Sequence, residues 1–355
     1  MNLSKNKAVK MLYRGLKNYF ANKPVCVSFE VLNSCNLNCH HCNWGGQIEE
    51  TLLTPEQIRD IYLRFKPPVV QISGGEPLLR DDIDDIFRAL KQDNCVPYLI
   101  LVSNAYLMTE EHYIKLNEAG VDQFSISLDF PDERHDYFRR QPGLFGHLNK
   151  LIPRLSSLGY DNIILNTAIT HENYKYLREI VDLAEKWGVY MSFSAYTILR
   201  TANRDFCINE QEELERLKRI IDELIQLKKE RQRIVTSEIT LKRTYEFFKH
   251  SKITGCKAGK RFFVIPPDGL LLPCAMHRNR LFSTQAEMIE EFSNHNKCGS
   301  CFVAIRSMTD LPFMSFIKST LSSYLSLKKP PASAEVYVSP EEQLVKEISN
   351  QNSIT

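Results

Sequence analysis

From residue 24 onward, short apolar runs alternate with longer stretches in which apolar positions recur at helical spacing. The short runs cover residues 25–31, 69–73, 97–103, 123–128, 162–167 and 189–196, and are rich in Val, Ile, Leu and Phe. Most lack the polar alternation of a half-exposed strand, which predicts parallel strands covered on both faces. Helical spacing fills the gaps at 55–65, 82–92, 110–119, 144–158 and 174–187, and a longer helix is predicted at 209–230. Thr54-Pro55-Glu56-Gln57 is a helix start: a capping hydroxyl, proline at the first position, acid in the first turn. Six β-then-α units without a break predict an α/β fold, a partial (β/α)6 TIM-like barrel or open sheet. Such folds place their chemistry on loops at the carboxyl ends of strands, so each motif is tested by whether it follows one.

Residues 1–20 read as a basic amphipathic helix, with Leu3, Met11, Leu12, Leu16, Tyr19 and Phe20 among lysines. Docking on the main domain is the expected use of its apolar face, and peripheral membrane contact is the alternative. The regular alternation stops near residue 235. Residues 236–310 carry Gly and Pro clusters and four cysteines, and are expected to form a small cysteine-rich α+β domain. Residues 311–327 are a further apolar helix candidate, but Lys318 and several Ser, Thr and Pro residues argue against a membrane span. A polar tail follows at 328–355. The expected organisation is therefore 1–23, 24–235, 236–310 and 311–355.

A chain of 355 residues, 43% hydrophobic and 25% charged, has the composition of a soluble globular protein with an ample core. Its net charge of +2 implies no electrostatic pull toward nucleic acid. Lys5, Lys7, Lys10, Arg14 and Lys17 interrupt the first twenty residues, unlike a secretory signal, so a reducing, cytoplasmic location is expected. There, clustered cysteines bind metal more often than they form disulfides. Of ten cysteines, seven fall in two groups, at 35/39/42 and at 256/274/298/301. Cys26, Cys95 and Cys207 stand apart and are expected to be small buried hydrophobes.

Cys35-Asn-Leu-Asn-Cys39-His-His-Cys42 is a C-x3-C-x2-C loop directly after the first strand. Three thiolates on one loop can hold three irons of a cubane and leave the fourth open, as a catalytic centre requires. Zinc prefers paired knuckles, although His40 or His41 could complete such a site. Here the sequence resembles the radical S-adenosylmethionine superfamily, whose signature is this loop after the first barrel strand. The resemblance implies a [4Fe–4S] cluster whose open iron chelates S-adenosylmethionine. Reductive cleavage of that cofactor would release a 5′-deoxyadenosyl radical that abstracts hydrogen from substrate. The family usually has an aromatic before the third cysteine, where this chain has His41.

Gly74-Gly75-Glu76-Pro77 follows the second strand, and paired glycines let a backbone approach a ligand closely. Within the superfamily this element resembles the contact to the methionine amino group. Ser103-Asn104 closes the third strand, while Ser125, Ser127 and Asp129 close the fourth, positions similar to the family's ribose contacts. The stretch from Asp129 through His135-Asp136 to Arg139-Arg140, followed by Pro-Gly-Leu-Phe, resembles the family's loop after the fourth strand. Arg139 or Arg140 is expected to pair with the methionine carboxylate. Asn166, ending the fifth strand, matches a cofactor-facing polar position.

Cys256, Gly269 and Cys274 form C-x12-G-x4-C, and Cys298-Gly-Ser-Cys301 closes the second group. Pro266-Pro267-Asp268-Gly269 between two apolar runs predicts a β-hairpin whose arms bring Cys256 toward Cys274. Spacing alone leaves structural zinc open. The pattern resembles the start of the SPASM extension of radical enzymes. Ser307 stands where that extension's next cysteine would fall, which argues for the shorter twitch type with one auxiliary [4Fe–4S] cluster for electron transfer. His277 and His295 are expected to face solvent.

Together these features imply a radical enzyme of the oxidoreductase or maturase type. Its substrate would be a peptide or small molecule, and an external donor such as flavodoxin or ferredoxin would supply the electron to its cluster. Oxidation, cross-linking and epimerisation remain open, as do a lipid substrate at a membrane surface and an electron-transfer module without turnover.

Overall fold

The computed structural model describes residues 5–91 and 96–311. Cys95, the 328–355 tail and all but Leu311 of the 311–327 segment lie outside the described residues. The chain runs α1 (Lys5–Phe20), β1 (Cys26–Glu30), α2 (Pro55–Phe65), β2 (Val69–Ser73), α3 (Ile83–Lys91), β3 (Tyr98–Ser103), α4 (Glu110–Ala119) and β4 (Gln123–Ser127). It continues through α5 (Arg134–Arg139), α6 (Leu144–Ser157), β5 (Ile163–Ile169), α7 (Leu177–Lys186), β6 (Tyr190–Ala195), α8 (Gln211–Arg231) and α9 (Glu238–His250). The last elements are β7 (Phe262–Ile265), α10 (Gln285–Met288) with a π turn behind it, and α11 (Ala304–Thr309).

All seven strands pair in parallel in the order β6-β5-β4-β3-β2-β1-β7, an α/β sheet in the form of a partial barrel. Burial explains the unbroken apolar runs: every residue of β1 is buried, as are all but one of β3. The predicted start of α2 is present in full. Thr54 Oγ1 accepts from Gln57 N, Gln57 Oε1 accepts from Thr54 N, and Pro55 opens the helix.

The hairpin expected near residue 267 takes a different form. Gly269 N donates to Pro266 O at 3.0 Å, closing the turn, but the arms exchange hydrogen bonds only between Val264 and Leu272. The first arm, β7, pairs along its length with β1 instead and becomes a seventh strand of the main sheet. Phe263 is fully buried there and meets Phe65 of α2 edge-on, with ring centres 5.0 Å apart. Parallel pairing with a strand so far back in the chain leaves no local trace, which is why periodicity alone reads a hairpin.

Helix α1 docks on the amino-terminal ends of the strands, opposite the cysteine loop. Met11 is buried with Val96, Tyr98 and Ile100, Asn18 Nδ2 donates to Pro24 O at 2.8 Å, and Lys7 pairs with Asp122. Val9 and Tyr13 stay exposed on its outer face. Among the described residues, no helix is long and apolar enough to cross a membrane.

Phe263→Ala should cost about 3–5 kcal/mol, the usual cost of truncating a buried aromatic. Urea unfolding measures it; a loss below about 1 kcal/mol would mean that β7 is not held in the core as described.

Candidate active site

The loop after β1 meets the end of β2 through backbone contacts. Gly75 N donates to Leu32 O and Glu76 N to Ser34 O, each at 2.9 Å. A Cβ on Gly74 would lie 2.2 Å from Leu32 O, and one on Gly75 would lie 2.0 Å from Ser34 O. No side chain fits at either position, so the paired glycines set how closely β2 approaches the base of the cysteine loop. The loop itself closes through Cys35 N to Gly46 O at 3.0 Å and Cys42 N to Cys39 O at 3.2 Å. Cys39 is buried, whereas Cys35 and Cys42 are half-buried.

Glu76 is buried and joins this loop to the third strand. Its carboxylate accepts from Ser103 Oγ at 2.7 Å, from Asn104 N at 2.7 Å and from Leu78 N at 3.1 Å. Burial pushes its pKa up, and these three donors oppose the rise. Asn104 Nδ2 in turn donates to Asn36 Oδ1, inside the cysteine loop, at 2.9 Å. The motifs that the sequence places on separate strands thus form one hydrogen-bonded unit. Pro77 opens a single 3-10 turn behind it.

A second support lies under Cys39. Asp129 is fully buried, and its Oδ2 accepts from Arg139 Nε at 2.8 Å and Nη2 at 2.6 Å. Its Oδ1 accepts from Ala168 N at 3.2 Å, and its amide donates to His135 Nδ1 at 3.1 Å. Burial raises the Cys39 pKa, and the positive charge of the nearby Arg139 guanidinium pulls it back. Arg139 thus gives its Nε and Nη2 to Asp129. Arg140 turns outward and faces the His40 ring instead, Nε to Nε2 at 3.3 Å. Asp136 caps α6, accepting from Gly143 N and Phe145 N at 2.6 Å each. His41 stacks flat on Phe138, with ring centres 4.5 Å apart and planes 8° apart. Burial pushes its pKa down to about 3 and holds the ring neutral.

Ser127 ends β4, but its register partner Asn166 lies in the middle of β5, which runs on to Ile169 rather than closing at Asn166 as expected, and Ser192 of β6 pairs with Asn166. All three are half-buried. Asn166 Nδ2 bonds to Ser125 Oγ. This puts a row of small polar side chains at one level across three adjacent strands, at the end of β4 and within β5 and β6.

In the second group, Cys256, Cys274 and Cys298 are half-buried and Cys301 is buried, all as free thiols. Burial pushes Cys256 and Cys274 up to about 12, and Cys274 lies close enough to Cys256 and Cys301 for their charges to add to the rise. Ser307 lies on α11 with its hydroxyl bonded to Ala304 O at 2.9 Å. His295 is exposed as expected, but His277 is not. It packs edge-on against Phe292 at 5.3 Å with Nε2 buried, because the residues after Cys274 turn inward.

One connection had no sequence signal. Arg278, four residues after Cys274, forms a two-armed ion pair with buried Glu30 at the end of β1, at 3.0 and 2.8 Å. Its guanidinium also lies 4.5 Å from the centre of the Trp44 ring, two residues after Cys42. A cavity of 610 Å³ opens beside it, lined by Asn33, Glu50, Asp268 and Arg278 among others.

The donor sets suit iron–sulfur chemistry. Soft thiols dominate both groups, and burial raises Cys35 to about 11, a cost that bound cationic iron would offset. Asn36 Nδ2 beside Cys35 is buried without an acceptor, as expected where a ligand atom belongs. Among the described residues, no three His, Cys, Asp or Glu side chains converge to hold a single metal ion.

Residues 29–184 match the Radical SAM superfamily. An AdoMet-dependent heme synthase of Oleidesulfovibrio alaskensis is 32% identical over 173 residues, 46% of this chain and 44% of that protein. A probable GTP 3',8-cyclase of Methanococcus aeolicus is 25% identical over 288 residues, 79% of this chain and 93% of that protein. The chain spans about half the length of the heme synthases it matches. In fold it is similar to Streptococcus suis SuiB, solved with the precursor peptide SuiA. That match has a TM-score of 0.58 at 18% identity and covers 76% of this chain and 63% of SuiB. The family implies S-adenosylmethionine and a [4Fe–4S] cluster. The cysteine loop, the glycine pair beneath it and the family match agree: this chain carries a radical SAM domain.

Proposed function

We propose that the protein is a radical SAM enzyme of the oxidoreductase or maturase type, acting on a peptide or another polar small molecule. The observation that carries this reading is the linked unit of Gly75, Glu76, Ser103, Asn104 and Asn36 around the cysteine loop. An electron carrier needs thiols but has no use for such a scaffold beside an open coordination position. In this reading Cys35, Cys39 and Cys42 hold the cluster. Once bound, the cluster and S-adenosylmethionine supply a 5′-deoxyadenosyl radical that removes hydrogen from substrate.

The chain's own residues position and protect. Gly74, Gly75 and Pro77 shape the backbone at which the methionine amino group would lie, and Glu76 keeps that backbone in register with Ser103 and Asn104. Ser127 and Asn166 offer polar contacts to the nucleoside. Asp129 and Arg139 fix the underside of Cys39, and the His41–Phe138 stack closes that side to water. Cys256, Cys274, Cys298 and Cys301 would hold an auxiliary [4Fe–4S] cluster, which would supply electron-transfer chemistry, with flavodoxin or ferredoxin as the outside donor. The likeness of fold to SuiB supports a peptide substrate, and the cavity beside Arg278, with donors and acceptors of both charges, suits a polar segment. A cytoplasmic location goes with oxygen-sensitive clusters.

Anaerobic reconstitution should load about eight irons per chain, as two cubanes require. Dithionite and S-adenosylmethionine should then yield 5′-deoxyadenosine, measured by chromatography. Eight irons with no 5′-deoxyadenosine would favour the electron carrier. Cys39→Ala should abolish that product, whereas Cys274→Ala should retain uncoupled cleavage and lose only the second cluster; equal loss contradicts the division of labour. Gly75→Ala forces a Cβ into Ser34 O and should lower both iron loading and 5′-deoxyadenosine formation at least tenfold. Unchanged loading would show that the glycine pair does not set the loop.

A further inference from the structure

Both cysteine groups rest on the same internal device, a buried arginine that reaches a cysteine while its charge is met by an aspartate. At the first group the pair is Asp129 and Arg139, under Cys39. At the second it is Arg306 and Asp310. Arg306 is fully buried, with its Nε 2.7 Å from Asp310 Oδ2. Its Nη1 donates to Cys301 O and lies 3.8 Å from Cys301 Sγ, and its Nη2 donates to Ile253 O. Asp310 Oδ1 accepts from Lys257 N, next to Cys256, at 2.8 Å. Across this group the cationic end therefore faces Cys301 and the anionic end faces the Cys256 segment.

We infer that Arg306 and Asp310 set the reduction potential of the cluster held by the second cysteine group. The inference rests on the reading of that group as an iron–sulfur site. Reduction of a [4Fe–4S] cluster from 2+ to 1+ adds one electron and one negative charge. A guanidinium N–H directed at a ligand sulfur stabilises the reduced form, and a neighbouring carboxylate destabilises it. Cluster potentials respond to such hydrogen bonds and to local charge, and both act strongly where water is excluded. Arg306 is thus a positioning residue that acts through Cys301 and raises the potential. Asp310 holds its fork in place and moderates the rise. An auxiliary cluster tuned upward in this way takes an electron more readily than it gives one, which favours net oxidation of substrate over redox-neutral chemistry.

The test uses the full chain with Cys35, Cys39 and Cys42 all replaced by alanine, reconstituted with iron and sulfide so that only the second group is loaded. The EPR signal of the reduced cluster is followed against potential, with dithionite as reductant. Arg306→Gln should lower the midpoint potential. Asp310→Asn, which keeps the guanidinium and removes its counter-charge, should raise it. Shifts of opposite sign support the inference, because a merely structural role predicts no such pattern. Arg306→Gln leaves buried Asp310 with only the Lys257 amide, so loss of folding there would leave Asp310→Asn to decide. An unchanged or lowered potential in that variant, with full iron content, overturns the role of the pair alone. Zinc or no metal in the parent protein overturns the iron–sulfur reading and the inference together.

Discussion

Where Gly74 and Gly75 pass Leu32 and Ser34, two stretches of backbone meet with no side chain between them. That approach puts the end of β2 directly under the cysteine loop and lets Glu76 turn inward to bind the end of β3. Without it, Ser103, Asn104 and Asn36 would lose their common anchor, and the loop would rest on weaker side-chain packing. The constraint is steric and local, yet it organises the carboxyl ends of the first three strands. The ends of β4 and β5 are joined differently, by the buried charge of Asp129, which reaches α5 and β5.

Buried ions usually cost more than they return unless every lone pair is met. Asp129 goes part of the way, each of its oxygens having a partner in Arg139 or the Ala168 amide, as does Asp310 with Arg306 and the Lys257 amide. Placing two such pairs beside two groups of thiols is an expensive choice for stability alone. It gives fixed dipoles at the places where electrons would arrive and leave, in surroundings too dry for solvent to average them out.

Much of the fold was legible because strands buried on both faces leave continuous apolar runs; β1, buried throughout, lies within the expected run 25–31. Helix α2 was legible to the residue because Thr54, Pro55 and Gln57 all carry cap chemistry. Helix α9 also had a signal, Ser237 capping an amphipathic stretch, hidden by the expectation of an irregular segment there. Six-residue α5 had little, since a run of charges with two aromatics fits a loop equally well. In the site, spacing revealed the cysteines, glycines and Glu76. It could not show that Arg139 would turn to Asp129, nor that Arg278 would find Glu30 across 248 positions. Those pairings depend on which surfaces the finished sheet brings together.

The place of β7 has a consequence for how the molecule is made. β1 carries the cysteine loop, yet it is an inner strand, flanked by β2 and by β7. As the chain leaves the ribosome, one edge of β1 has no partner until residues 262–265 have emerged, long after β2 through β6. Until then the strand under the three thiols offers unpaired backbone groups to any passing chain. Closure of that edge by a contact so distant in sequence is slow by its topology. The cysteine loop therefore gains its final support only when the segment bearing the second cysteine group comes home, which couples the completion of the two groups in time.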